Sequence, residues 1–226
     1  MTTSPLTADF IARATYRRGK LAVYDAIDAK RAALLVIDMQ NAWLAPGAPF
    51  ETPAAREIIP AINRLAAALR AKGGTVVWVR HRTGKPGAPD YWATYFDNFV
   101  SADKRGPAVE ALSDGHPMQA LFPAMDAKPG DVHLTKTRFS AFINNPADPA
   151  RLLRERGIDT LIVAGTATNI CCESTARDAM MLDFKVFVPH DAVATPKEDA
   201  HVAGLRSLTQ AFADIRPTDE VIAILR

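Results

Sequence analysis

A chain of 226 residues suits one large α/β domain better than two small ones. Its 48% hydrophobic content allows a sizeable core, and a net charge of +2 without a basic stripe argues against nucleic acid as a partner. No apolar run reaches the ~20 residues of a membrane span, and residues 1–20 lack the apolar core of a signal peptide.

Cys171 and Cys172 are adjacent, and an ordinary disulfide between neighbours is too strained. Free thiols suit a reducing compartment, so a cytoplasmic protein is expected. No Cys or His spacing matches a zinc site. His81, His116, His133, His190 and His201 are scattered and are read as surface or satisfied core residues.

In chain order, Ala8, Phe10, Ile11, Ala14 and Tyr16 alternate with Arg13, Arg17 and Arg18. This predicts a short amphipathic helix in an N-terminal extension, residues 1–30, packed on the domain or on a neighbouring subunit. The main domain is expected over 31–226. Residues 32–37 are a continuous apolar run, the mark of a strand buried on both faces, and Asp38 follows at its end. Residues 53–72 carry helical spacing with Pro60 inside, and Gly73 and Gly74 stop it. A second strand is predicted at 75–80. From 81 to 131 Gly and Pro break the pattern, which predicts a loop-rich insertion holding the aromatic cluster Tyr91 to Phe96. Two readings of that cluster are open: a wall or lid over a pocket, or the core of a satellite helix or an oligomer contact.

A third strand ends at Lys136, a helix covers 148–156, and a fourth strand covers 160–164. A turn of small residues then leads to a helix opening near Cys171. A fifth strand at 184–188, a helix at 196–212, an edge strand at 213–215 and a closing helix capped by Thr218 complete the chain. Alternating strands and helices predict a three-layer α/β/α, Rossmann-like fold with a mostly parallel sheet of about six strands.

Asp38, Lys136 and Cys171 each lie at or just past the carboxyl end of a predicted strand, where open α/β sheets bind ligands. They make a sensible chemical set: Cys171 as nucleophile, Asp38 as general base, and Lys136 as the charge that steadies both. A helix start should also lower the Cys171 pKa. Each residue has a plainer reading, as turn residue, surface charge or small core hydrophobe.

Leu35 to Asn41, Lys136 to Phe142, and Gly165 to Cys171 with Ser174 to Ala179 resemble the three signature segments of the isochorismatase-like cysteine hydrolase superfamily. The likeness runs over about 32–225 and is most specific in the third segment. It implies an Asp38–Lys136–Cys171 triad and a non-proline cis peptide between Thr166 and Ala167. It also implies an oxyanion hole from the Ala167 and Cys171 N–H groups. The spacing selects Cys171 as nucleophile. Cys172 turns onto a face with Ala176, Ala179 and Met180 and is read as packing.

Isochorismatases proper lack the cysteine. The metal-binding nicotinamidases carry histidines in the loop after the first strand, where residues 46–53 hold Glu51 and no histidine. No metal and no cofactor are therefore expected. The resemblance points to the metal-free amidohydrolase branch, acting on a small ureido, carbamoyl or amide substrate through a thioester-type intermediate. Residues 168–175 are most similar to the ureidoacrylate hydrolase version; biuret, triuret and N-carbamoyl amino acid hydrolases are the alternatives. Candidate substrate contacts are Asn41, Arg138, Asn169, Tyr91, Trp92 and Gln210, with Arg138 as the fork for a carboxylate. A homo-oligomer, dimer or tetramer, is expected, with no membrane or nucleic-acid partner. A non-catalytic binding or assembly module on the same fold stays open. A Rossmann nucleotide binder is the weaker alternative, because no Gly-x-Gly-x-x-Gly follows the first strand.

Overall fold

A computed structural model describes residues 6–226. The first five residues of the stretch read as lacking a signal peptide, and of the 1–30 extension, lie outside the described residues. The strands are β1 (Ala32–Ile37), β2 (Thr75–His81), β3 (Val132–Lys136), β4 (Thr160–Thr166), β5 (Lys185–Pro189), β6 (Val193–Ala194) and β7 (Asp214–Arg216). They form one sheet in the order β3-β2-β1-β4-β5-β7, with β6 also on β4. Every strand pairing in it is parallel. The seventh strand is the two-residue β6, too short to leave a pattern in sequence.

The apolar runs become central strands because both faces are covered. In β1, Leu34 and Val36 face one core with Trp78, Ile62, Leu65 and Leu69. Leu35 and Ile37 face the other, with Val79, Val163, Ala176, Leu205 and Leu208. Helices Ile59–Ala71 and Thr218–Ala223 cover the first face, and Pro149–Glu155, Glu173–Met181 and Glu198–Ala211 the second. This is the three-layer α/β/α arrangement expected. Trp78 is fully buried, and its indole N–H donates to Asp131 at 2.8 Å, so burial leaves no orphaned donor.

Several elements differ from the sequence pattern. The helix expected over 53–72 divides at Ile58 into Ala54–Glu57 and Ile59–Ala71, with Pro60 in the first turn, where its missing N–H costs nothing. The 81–131 insertion holds two helices, Ala93–Asn98 and Ala102–Ala111. Pro107 sits inside the second, which is held by burial of Ala108, Val109 and Ala111. Thr218 does not cap its helix through its side chain. Its N–H and hydroxyl both donate to Asp191, at 2.7 and 2.8 Å, so the carboxylate serves the helix start from a distant loop.

The N-terminal helix Ala8–Arg18 ends at Gly19, where φ is +82°, and packs on Glu198–Ala211. Arg18 donates to the Thr209 carbonyl at 2.9 Å. Tyr16, read as part of its apolar face, is 94% exposed; the helix docks through the small Ala14 instead. Asp214 ties the segment that follows by accepting the Val23 and Tyr24 N–H groups. No helix among the described residues is long and apolar enough to cross a membrane.

Candidate active site

The strand order runs from β1 outward through β2 and β3, then restarts at β4 on the other side of β1. Such a reversal opens a crevice at the carboxyl ends of the strands. Asp38 follows β1, His81 and Lys136 end β2 and β3, and the turn to Cys171 follows β4. Register aligns them: Ile37 pairs with Val79 and Gly165, and His81 pairs with Lys136. Gly165 is required by contact. A Cβ there would meet the Ile37 carbonyl at 2.1 Å, and its φ is +114°. Asp38 itself is left-handed, with φ +54°, a conformation that costs a non-glycine residue free energy and collects at functional sites.

Lys136 is the centre of the cluster. Its Nζ lies 2.9 Å from the Asp38 carboxylate and 3.4 Å from Cys171 Sγ. It is also 3.2 Å from His81 Nδ1 and 3.1 Å from the Arg138 carbonyl. Both side chains of the Lys136–Asp38 pair are fully buried. Burial alone would strip the lysine of its proton, but Asp38 and then Cys171 raise its pKa above the usual value, so it is a fixed cation. Asp38, His81 and Cys171 offer atoms within 4.8 Å of one another, a grouping that resembles a metal cage. The ammonium contacts all three and is the cation they surround.

The thiol is not pre-ionised. Burial and then the Asp38 charge push Cys171 up to about 12, with Lys136 opposing only in part. This corrects the expectation that a helix start lowers its pKa. Desolvation is the largest cause, because Cys171 is only 5% exposed. Burial also raises Asp38, against the pull of Lys136. Cys171, Lys136 and the His81 backbone all lie within hydrogen-bonding reach of its carboxylate. The closer ammonium contact favours the carboxylate over the thiolate, so at rest the proton sits on sulphur, in reach of the Asp38 carboxylate.

The Thr166–Ala167 peptide is cis. A turn of π-helix, Thr168–Cys172, then leads into Glu173–Met181. Cys172 is fully buried in the core with Ala176 and Ala179, whereas Met180, read onto the same face, is 40% exposed. Cys171 lines a cavity of about 340 Å³, a size that suits a small molecule. Trp43, Phe50, Tyr95, Phe96, Phe139 and Ile170 form much of its wall.

Of the readings left open above, the cluster supplies part of a pocket wall and the core beneath a helix. Phe96 is fully buried and, with Tyr95, reaches the cavity. Tyr91 and Trp92 stand behind: the Tyr91 hydroxyl donates to Asp97 at 2.7 Å, and Trp92 packs edge-on against Phe139. The remaining candidates do not line the cavity either. Asn41 donates to the Pro117 carbonyl, Asn169 accepts from Thr195, and Arg138 donates to the Thr137 carbonyl and lies over the Trp92 ring. Gln210 is elsewhere, beside Phe10, Arg13 and Arg17 of the N-terminal helix. Glu51 lines the cavity but is committed to the Gly47 N–H and Arg56. His81, expected as a surface or satisfied core residue, lines the cavity, and Gln40 supports it. His81 ends a strand just as Lys136 does, and that position was the available signal. Gln40 is fully buried and bonds both the N–H and the carbonyl of His81.

A crevice at a parallel-sheet switch point, with a buried acid, lysine and cysteine converging in it, defines a three-layer α/β/α protein with a cysteine-centred site. The family model of the Isochorismatase domain matches residues 32–220. The chain belongs to the isochorismatase family, and its sequence sets it on the amidohydrolase branch. It is 38% identical to the ureidoacrylate amidohydrolase RutB of Methylorubrum extorquens over 181 residues, 74% of this chain and 71% of the relative. It is 34% identical to RutB of Methylobacterium radiotolerans over 200 residues, 82% and 73% of the two chains. Among solved structures, a cysteine hydrolase from Pseudomonas syringae pv. phaseolicola superposes with a TM-score of 0.78 at 28% identity, covering 89% of this chain and 95% of that one. An isochorismatase family protein from Desulfovibrio vulgaris gives 0.72 at 31% identity, covering 85% and 98%.

Proposed function

We propose that this enzyme is a cysteine-dependent amidohydrolase that opens a C–N bond of a small ureido, carbamoyl or amide substrate through an S-acyl intermediate. The observation that carries the reading is Cys171 on the cavity surface, with the buried Asp38–Lys136 pair in contact behind it. The names of the sequence relatives favour a ureido substrate.

Asp38 takes the Sγ proton as sulphur attacks the carbonyl carbon, so the thiolate exists only as the C–S bond forms. Lys136 stays charged throughout and balances the negative charge as it moves from carboxylate to sulphur. The carbonyl becomes a tetrahedral oxyanion, held by the N–H groups of Ala167 and Cys171. The C–N bond breaks, and the leaving ammonia or amine takes the proton from Asp38. Water then adds to the thioester or thiocarbamate, giving its proton to Asp38. Collapse breaks the C–S bond and returns that proton to sulphur. Every step is proton transfer or acyl transfer between named side chains, and no cofactor enters.

Of the candidate contacts, Arg138 and Trp92 act through Phe139 and the wall rather than by touching substrate at rest. Free Cys171 and Cys172 support a cytoplasmic location. A homo-oligomer is proposed from the N-terminal helix and its outward Tyr16, to be checked by light scattering. The activity is tested by ammonia release from biuret, triuret, ureidoacrylate, N-carbamoyl amino acids and nicotinamide. Turnover of at least one of the ureido or carbamoyl compounds is expected, and the Cys171→Ala protein should have none.

A further inference from the structure

We infer that His81 contacts the substrate, presenting Nε2–H as a neutral hydrogen-bond donor to a carbonyl oxygen of an uncharged ureido or amide group held against Cys171. The inference rests on the amidohydrolase reading above and adds a residue and a selectivity to it.

The tautomer follows from geometry. His81 Nδ1 lies 3.2 Å from Lys136 Nζ. An ammonium only donates, so Nδ1 accepts and the ring proton is on Nε2. That nitrogen is buried and has no partner, on a side chain whose residue is 3% exposed. Other buried polar atoms lack partners too, such as Thr166 Oγ1 and Arg80 Nε, but their residues do not line the cavity; His81 does, together with Cys171. A buried donor left unpaired is costly, and a ligand acceptor relieves that cost.

The ring is also held in place. Gln40 Oε1 accepts the His81 N–H at 2.7 Å, and Gln40 Nε2 donates to the His81 carbonyl at 3.1 Å. Trp43 flanks the imidazole, with ring centroids 6.0 Å apart. A donor fixed before binding orients a ligand without loss of freedom on binding.

The charge of the ring sets the chemistry of its partner. Burial first, then Lys136 and Arg138, hold its pKa well below the ordinary value, so it stays neutral. No Lys or Arg lines the cavity. A carboxylate drawn in there would lose its hydration to neutral donors only, since the Lys136 ammonium behind the wall is already paired with Asp38, whereas a carbonyl oxygen needs no more than that. An uncharged substrate such as biuret is therefore preferred over an anionic one such as ureidoacrylate.

Two substitutions separate substrate contact from support of Lys136. His81→Asn keeps an acceptor near the Nδ1 position and loses the Nε2 donor. His81→Gln keeps a donor near Nε2. Both are made in the full chain, alone and in the Cys171→Ala protein. Binding of biuret, ureidoacrylate, N-carbamoylglycine and nicotinamide to the Cys171→Ala proteins is measured by calorimetry. The expected result is that biuret binds more tightly than ureidoacrylate, that His81→Asn weakens the best ligand by about tenfold or more, and that His81→Gln recovers much of it. In the active background, His81→Asn should raise KM while the thiolate absorbance titration of Cys171 stays where it was, because Lys136 is still held. An affinity within twofold of the parent in His81→Asn, or no binding by any of the four compounds, overturns the proposal. Binding that depends on His81, with no ammonia released by the wild-type enzyme, leaves the proposal standing and removes the amidohydrolase reading.

Discussion

Lys136 holds together charges that would otherwise repel. Its ammonium sits between a buried carboxylate and a sulphur that must carry negative charge during attack. Replacing it with methionine strands Asp38 in the core without a counter-charge. Urea unfolding of Lys136→Met should show a loss of ~3–5 kcal/mol, and turnover should vanish. Asp38 acts in the opposite sense on the thiol, since its charge helps to push Cys171 up to about 12. In Asp38→Asn, alkylation of Cys171 by iodoacetamide at pH 8 should become faster, while hydrolysis falls by roughly 10²–10⁴ for want of the base. Slower alkylation with the same loss would contradict the proton placement. Folding also inherits this shift. The folded thiol keeps its proton toward pH 12, while the unfolded one releases it near 9.0. The contribution is full below that lower value and is lost as pH rises through the window. Stability measured from pH 8 to 11 should therefore fall more steeply for wild type than for Cys171→Ala. The identities of Asp38, Lys136 and Cys171 were legible from strand ends and motif; the protonation of Cys171 was not, because burial is a property of the packed protein.

At the scale of elements, the site depends on how closely β4 approaches β1. Gly165→Ala places a Cβ at 2.1 Å from the Ile37 carbonyl and forces φ +114° on a residue with a side chain. We expect a loss of more than ~1 kcal/mol in thermal melting, and a larger loss of turnover because Asp38 and Cys171 flank that contact. The main strands were readable because buried parallel strands leave continuous apolar runs. β6 was not, having only two residues, nor was the Ala102–Ala111 helix, because Gly106 and Pro107 read locally as breakers while tertiary burial holds the helix. The cavity wall was half legible. Tyr91 to Phe96 stood out as aromatic, but which rings face the cavity depends on helix Ala93–Asn98, and that helix turns Tyr95 and Phe96 inward. Trp43, Phe50 and Phe139 come from three other stretches and meet only in the fold.

Across the whole molecule, two cores sandwich one parallel sheet, and the site lies where strand order reverses. The N-terminal helix is peripheral to this plan, packing on Glu198–Ala211 away from the cavity. A chain starting at residue 20 should keep turnover and lose about 1 kcal/mol of stability with the Arg18 bond to Thr209. Melting curves and kcat/KM of the shortened chain check this. Alternation of strand and helix made the architecture legible from the sequence; the docking of that helix, through Ala14 rather than Tyr16, was not. The central claim is that Cys171 forms a covalent acyl bond during turnover. Acid-quenched enzyme, taken during hydrolysis of the best ureido substrate and weighed intact, should carry the mass of substrate minus its leaving amine. Peptide mapping should put that mass on Cys171, and the Cys171→Ala protein should show neither the adduct nor ammonia release. Ammonia release that survives Cys171→Ala would contradict the account.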